Sequence, residues 1–460
     1  MTTELRSVPR APGRVPLLGH LLRLTRSPFA FVEDLRNSGE IVRVDLGTSP
    51  VYFLTTSDLV HELLVGRARD FEKGRLIDRA RPFTGNGLLN SDNQTNRQRR
   101  RLMQPMFHRA RIEGYAAGMA EQALAVAESW EPGRVVEVDS AMYEISINTV
   151  MTTLFSTEAD AEAIEVIRHQ VPVLLKGVLA RAALPAAVGR LPVRSNRRFD
   201  RAVTMVRQVV DELVATARKS GADSPDLLST LAAARDADTG EALTEEEIRD
   251  ELITMLIGGT ETTATTLTWT FHELAHNPEA EKRALAEIDA VVGDGPVGLA
   301  EIAELPFLTH VVDEVARLHA IPVLMRRAIH EVELGGVRIP AGTELAFSPY
   351  ALHRDPRLYT DPDRFDPERW ADAGRRTRAE FIPFSTGARK CIGEAYARME
   401  MSVVLATVLA RWQLRPASDR AVREVVAAVP RPDQLPMTPI ARLDRKAAER
   451  RPKQPDLRPA

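Results

Sequence analysis

This chain of 460 residues contains one cysteine, Cys391, and a single thiol restricts what it can become. It cannot close an intramolecular disulfide, and it cannot build a cysteine-rich zinc or iron–sulfur site. Three roles remain: an inert buried thiol, a nucleophile, or a lone thiolate ligand to a metal. The setting is Phe384-Ser385-Thr386-Gly387-Ala388-Arg389-Lys390-Cys391-Ile392-Gly393. Gly387 and Gly393 allow a sharp turn and the close approach of a flat group. Arg389 places a fixed positive charge two residues before the sulfur, which favours thiolate and can pair with an anion. Helix formers follow from Glu394, so the sulfur is expected just before or at a helix N-terminus, where the dipole also favours negative charge.

The remainder reads as an ordinary globular chain, 44% hydrophobic and 27% charged, whose net charge of −3 gives no sign of a nucleic-acid partner. No apolar run reaches bilayer length. The N-terminal patch Val15-Pro16-Leu17-Leu18 is broken by Gly19, His20, Arg23 and Arg26 and fits neither a signal peptide nor an anchor. A cytoplasmic protein without a membrane span is expected. No Gly/Ser-rich linker divides the chain. One domain is therefore expected over 1–443, followed by a charged, Pro-bearing tail over 444–460 that reads as disordered.

Ile41–Gly47 and Val51–Leu54 read as a β-hairpin. Helical spacing of apolar residues then dominates over Arg111–Trp130, Met142–Phe155, Phe199–Ala217, Ile248–Ala275 and Ala280–Val292. Val171–Leu191 is apolar and broken by Gly177, Pro185 and Gly189; it reads equally as a core helix or as a mobile roof over a pocket. A second hairpin spans Val332–Leu345 and turns on Gly335-Gly336. Irregular chain fills His353–Trp370. The sum is mainly α with small β-sheets.

Within the long helical pattern lies Met255-Leu256-Ile257-Gly258-Gly259-Thr260-Glu261-Thr262-Thr263. Two glycines inside a helix cost about 1 kcal/mol each relative to alanine, so packing or function must offset them. Close helix–helix contact is one explanation. Glu261-Thr262 suggests another, an acid beside a hydroxyl that can relay protons, with Gly258 leaving room for a small molecule. Further on, Glu314 and Arg317 stand at i, i+3 on one helical face.

The cysteine segment resembles the haem-binding signature of the cytochromes P450, Phe-x-x-Gly-x-Arg-x-Cys-x-Gly, at every fixed position. Cysteine-thiolate haem ligation is a known property of that family. The resemblance covers roughly Val15 to Leu443 and implies the P450 fold. By it Cys391 is the proximal ligand of haem b, Phe384 packs near the sulfur, Arg389 pairs with a propionate, and Gly387 and Gly393 shape the loop. Gly258-Gly259-Thr260-Glu261-Thr262 resembles the family's [Ala/Gly]-Gly-x-[Asp/Glu]-Thr motif, which assigns Thr262 to oxygen activation and Glu261 to proton supply. Glu314, Arg317 and Arg369 match the family's structural triad. Arg326 stands where a propionate arginine is usual, with Arg327 as rival. Asn96 and Arg100 take the places of the [Trp/His]-x-x-x-Arg clamp, with Asn96 departing from the pattern.

The resemblance implies a monooxygenase that inserts one atom of O2 into an apolar small molecule. Electrons are expected from a separate ferredoxin and ferredoxin reductase, docked on a basic face formed by Arg97, Arg99, Arg100, Arg101, Arg389 and Lys390. The pocket is expected from Phe83–Leu89, Val171–Leu191, Leu252–Ile257, Pro322–Leu324 and Leu435–Met437, which are mostly aliphatic. Through Val15-Pro16-Leu17-Leu18-Gly19-His20, the basic run Arg97–Arg101 leading into Gln104-Pro105-Met106-Phe107-His108, and Ser348-Pro349-Tyr350, the sequence resembles most the actinobacterial P450s that tailor terpenes, of the pentalenene oxygenase type. That likeness implies a terpenoid substrate in secondary metabolism. The alternatives are a polyketide or macrolide tailoring P450, a non-oxidative isomerase or dehydratase, or a haem-free partner protein.

Overall fold

A computed structural model describes residues 3–155, 161–183, 189, 191–220, 226–235, 240–292, 297–372 and 380–442. The tail over 444–460 lies outside them, as does part of the apolar stretch Val171–Leu191. Among the described residues helices dominate, and four separate sheets accompany them.

The helix Glu245–His276 forms the axis of the molecule. Its start is fixed by a reciprocal cap: the Glu247 amide donates to Thr244 Oγ1 (3.2 Å), and the Thr244 amide donates to Glu247 Oε2 (2.8 Å). Glu245, Glu246 and Glu247 also put negative charge at the positive end of the helix dipole. The helix packs along Val138–Leu154. That approach needs Gly259, because a Cβ there would lie 3.0 Å from Val150 Cγ2; around a Cβ on Gly258 nothing lies within 4 Å. Packing therefore accounts for one glycine of the pair and leaves the other unexplained.

Helices Arg109–Glu128 and Glu394–Leu409 pack together. Ala161–Ala183 pairs with Arg194–Ser220, with the Phe199 ring seated where a Cβ on Gly177 would fall 1.9 Å from Phe199 Cδ2. Near the far end of the central helix, His319 stacks on Trp269 (3.9 Å between ring centres). Its two ring nitrogens meet Glu424 (2.7 Å) and Glu273 (3.0 Å), so this histidine ties elements together.

The largest sheet runs, in spatial order, Ile41–Leu46, Ser49–Leu54, Glu344–Phe347, Leu324–Ala328 and Phe71–Lys73. The other expected hairpin pairs Val332–Leu334 with Val337–Ile339 through Gly335 (φ +54°) and Gly336 (φ +72°). Both glycines occupy the left-handed region that such a two-residue turn requires. The strand Phe71–Lys73 exists only through its long-range partner. Its register sets Lys73 opposite Arg326 and Glu72 opposite Arg327.

Glu314 and Arg317 lie on the helix Pro306–Leu318 and are fully buried. Glu314 accepts from Arg317 Nε (2.9 Å) and Nη2 (2.8 Å), from Arg369 Nε (2.8 Å), from the Trp370 indole (3.0 Å) and from the Asp366 amide (2.9 Å). Arg317 Nη1 donates to the carbonyls of His353 (2.8 Å) and Pro362 (2.6 Å). One saturated carboxylate thus organises the irregular chain between His353 and Trp370, which has no ladder of its own. Removing one partner of a buried ion pair costs about 3–5 kcal/mol, whereas an exposed pair contributes about 0–1 kcal/mol. Glu314→Ala is therefore expected to destabilise far more than Arg283→Ala, which breaks the exposed Arg283–Glu368 pair. Denaturant unfolding checks this, and equal losses would contradict it.

Candidate active site around Cys391

The segment from Phe384 to Cys391 is a closed loop. The Cys391 amide donates to the Phe384 carbonyl (2.9 Å) and the Lys390 amide to the Gly387 carbonyl (3.1 Å). Gly387 is obligatory: its φ is +73°, and a Cβ there would lie 2.0 Å from the Leu64 carbonyl oxygen. Gly393 is the N-cap of the helix Glu394–Leu409, so Cys391 sits two residues before it. Cys391 carries accessible surface although protein surrounds it. Burial pushes its thiol up, while a hydrogen bond from the Gly393 backbone and the charges of Arg100 and Lys390 pull it down.

Arg389 turns away from the sulfur. Its Nη2 donates to the Ser91 carbonyl (2.8 Å) and to Asn93 Oδ1 (3.0 Å), while its Nη1 is buried without a partner. Burial pushes Arg389 down to about 10. Strand alternation separates the two rival arginines. Arg327 points to one face, where it pairs with Glu344 (2.8 Å), Asp78 (2.5 Å) and Glu72 (3.3 Å). Arg326 points to the other, buried, with a hydrogen bond to the Met325 carbonyl (2.7 Å). Burial and the neighbouring Arg389 push it down to about 10. Lys73, opposite Arg326, is pushed well below the usual lysine range by burial, then by Arg326 and Arg389; the one charge pulling it up is that of Cys391. Sequence reasoning missed Lys73, because only strand pairing brings it here.

Like charges directly opposite on adjacent strands are destabilising. Lys73, Arg326 and Arg389 therefore form a cationic cluster that calls for anions. The two propionates of a haem are such anions, and Cys391 is the thiolate donor that would hold its iron. The residues present fit that cofactor.

The early clamp differs from expectation. Asn96 is buried and its amide donates to the Leu88 carbonyl (2.7 Å), so it is turned toward the preceding loop. Arg100 reaches the cysteine segment and donates to the Lys390 carbonyl (2.6 Å). Arg99, expected on a basic face, is instead buried and paired with Glu247 and Glu251 of the central helix. With Arg389 drawn into the cationic cluster as well, the basic face is narrower by two charges.

On the central helix, Thr262 Oγ1 donates to the Gly258 carbonyl (2.7 Å), one turn earlier. Glu261 is pushed above the usual carboxylate range by burial, partly offset by Arg431, and its Oε2 is buried without a partner. A carboxyl so placed keeps its proton to higher pH and can donate it. The loop after Phe83 is pinned to the same helix: the Asn86 amide donates to Asp250 (2.7 Å) and the Leu88 amide to Glu251 (2.9 Å). Leu435 and Met437, expected at the pocket, are instead buried in the core beside Trp412 and Leu414. Exposed Val426 stands at the turn between strands Glu424–Val425 and Arg431–Pro432.

The family model for cytochrome P450 matches residues 9–435. The chain is 40% identical to cyclooctat-9-en-7-ol 5-monooxygenase of Streptomyces melanosporofaciens, over 88% of this chain and 89% of that protein. It is 38% identical to cyclooctatin synthase of the same organism, over 90% and 91%. It is 36% identical to pentalenene oxygenase of Streptomyces avermitilis, over 94% and 97%. Among the described residues no helix is long and apolar enough to cross a membrane.

Two glycines predict opposite outcomes. Gly258→Ala meets open space in a helix and should stabilise by about 1 kcal/mol, whereas Gly387→Ala should leave the cysteine loop unable to close. Thermal unfolding of the two variants checks this; equal effects would contradict it.

Proposed function

The chain belongs to the cytochrome P450 family, and we propose that it is a haem b-thiolate monooxygenase that hydroxylates a neutral terpenoid. Organic substrate and O2 are the reactants of that family. The reaction joins RH, O2, two electrons and two protons to give ROH and H2O. When bound through Cys391, haem supplies the reduction of O2 and the transfer of one oxygen atom. The observation that carries the reading is the cationic cluster of Lys73, Arg326 and Arg389 beside the single thiol.

The protein's own residues perform the remaining tasks. Arg326, Lys73 and the free Nη1 of Arg389 bind and orient the propionates. Gly258 leaves open space on the central helix, and the Thr262 hydroxyl orients reactants there. Glu261, unpartnered and buried, holds a proton at its carboxyl and gives it up toward Thr262. Electrons are proposed to come from a separate ferredoxin with its reductase, drawn to Arg97, Arg100, Arg101 and Lys390. A cytoplasmic location accords with this supply. The terpenoid assignment rests on the three Streptomyces relatives, whose names give cyclooctat-9-en-7-ol, cyclooctatin and pentalenene, and on the apolar character of Met255, Ile257, Val323 and Leu324.

The test is turnover under 18O-labelled O2 with ferredoxin, reductase and a panel of cyclic sesquiterpenes and diterpenes. One labelled hydroxyl in a terpenoid product is expected. Turnover of macrolide cores alone would favour the polyketide alternative, and product formation without O2 would overturn the monooxygenase reading. Thr262→Ala is expected to divert most electrons from product into hydrogen peroxide, read as peroxide released per electron pair. Glu261 donates its proton only while protonated, so coupling should decline as pH rises through its raised value. Glu261→Gln should flatten that decline, measured as product per electron pair against pH.

A further inference from the structure

Adjacent acids on the helix Pro306–Leu318 serve opposite directions. Glu314 enters the buried arginine pair described above, while Asp313 accepts from Arg398 Nη1 (2.6 Å). Arg398 belongs to the helix Glu394–Leu409, and its Nε also donates to Glu394 (3.3 Å). Its guanidinium lies over the Phe384 ring, 5.1 Å from the ring centre, within the range of a cation–π contact. Phe384 in turn closes the cysteine loop, through its carbonyl on the Cys391 amide. Glu394 also pairs with Lys390, the residue before the cysteine.

We infer that Arg398, held by Asp313, is a positioning residue that fixes the Phe384 ring against the cysteine loop and sets the reduction potential of the haem bound there. This rests on the haem-thiolate reading and extends it to residues outside the signature. The physical argument has two parts. A planar cation held by two carboxylates cannot drift, so the ring beneath it cannot drift either. Its charge also balances Asp313 and, together with Lys390, Glu394, so removing it leaves Asp313 without its guanidinium in a region of low dielectric. An unopposed negative field disfavours the added electron.

The test is a spectroelectrochemical titration of the purified holoprotein and three variants. Arg398→Gln should shift the ferric/ferrous equilibrium about tenfold toward ferric, about 59 mV lower for one electron. Asp313→Asn removes a negative charge from the same chain and should shift it the opposite way. Arg398→Lys keeps the charge and should restore most of the potential while losing the flat contact with the ring. Shifts of Arg398→Gln and Asp313→Asn in the same direction, or no shift in either, would overturn the inference, because mere loosening of the loop cannot give opposite signs. If Arg398→Gln fails to hold haem, the signs for Asp313→Asn and Arg398→Lys decide. A wild-type protein without the thiolate signature of its reduced CO complex would overturn the haem-thiolate reading itself, an outcome visible before any variant is made.

Discussion

Positive charge facing positive charge is the constraint from which the site follows. Lys73 and Arg326 stand opposite each other on adjacent strands, with Arg389 beside them, and all three are pushed down from their usual values by burial. A protein does not gather cations this far from solvent around one cleft without an anion to receive them. The same sheet supplies the contrast: one residue along, Arg327 is saturated by Glu344, Asp78 and Glu72. Strand alternation thus sends Arg327 to its carboxylates and Arg326 to the cluster with Lys73.

Much of the surrounding fold holds that cleft in register. The carboxylate of Glu314 gathers two guanidinia, an indole and a backbone amide, and through Arg317 it fixes the carbonyls of His353 and Pro362. The His353 ring accepts from the Ile382 amide (3.0 Å), two residues before Phe384. A chain of direct hydrogen bonds therefore runs from a buried helix to the entrance of the cysteine loop. Gly387 completes it by letting the loop press against the Leu64 carbonyl. The central helix closes the opposite side, its acids pinning Asn86 and Leu88 and its Gly258 leaving space.

The parts visible in sequence are those whose chemistry is local. The cysteine segment, the glycine–acid–threonine run and the pair Glu314–Arg317 are each contiguous or one helical turn apart, and both hairpins announce themselves through their turns. The parts not visible depend on pairing between distant segments. Lys73 gains its meaning from a three-residue strand that exists only against Leu324–Ala328. The choice between Arg326 and Arg327 needed the register of that pairing. Arg99 reads as one of four surface arginines until the capped start of the central helix brings Glu247 and Glu251 to it. Leu435 and Met437 read as pocket-lining because they are apolar, yet the strand Pro436–Ala441 pairs with Trp412–Pro416 and carries them into the core.

The central claim is that Cys391 presents a thiolate to a haem whose propionates meet Lys73, Arg326 and Arg389. The most direct measurement is the CO-difference spectrum of the dithionite-reduced protein, taken beside Cys391→Ser. The account predicts a red-shifted Soret band of the thiolate type in the parent protein, absent in the variant. A band at the position typical of neutral ligands, or no bound haem at all, would contradict it.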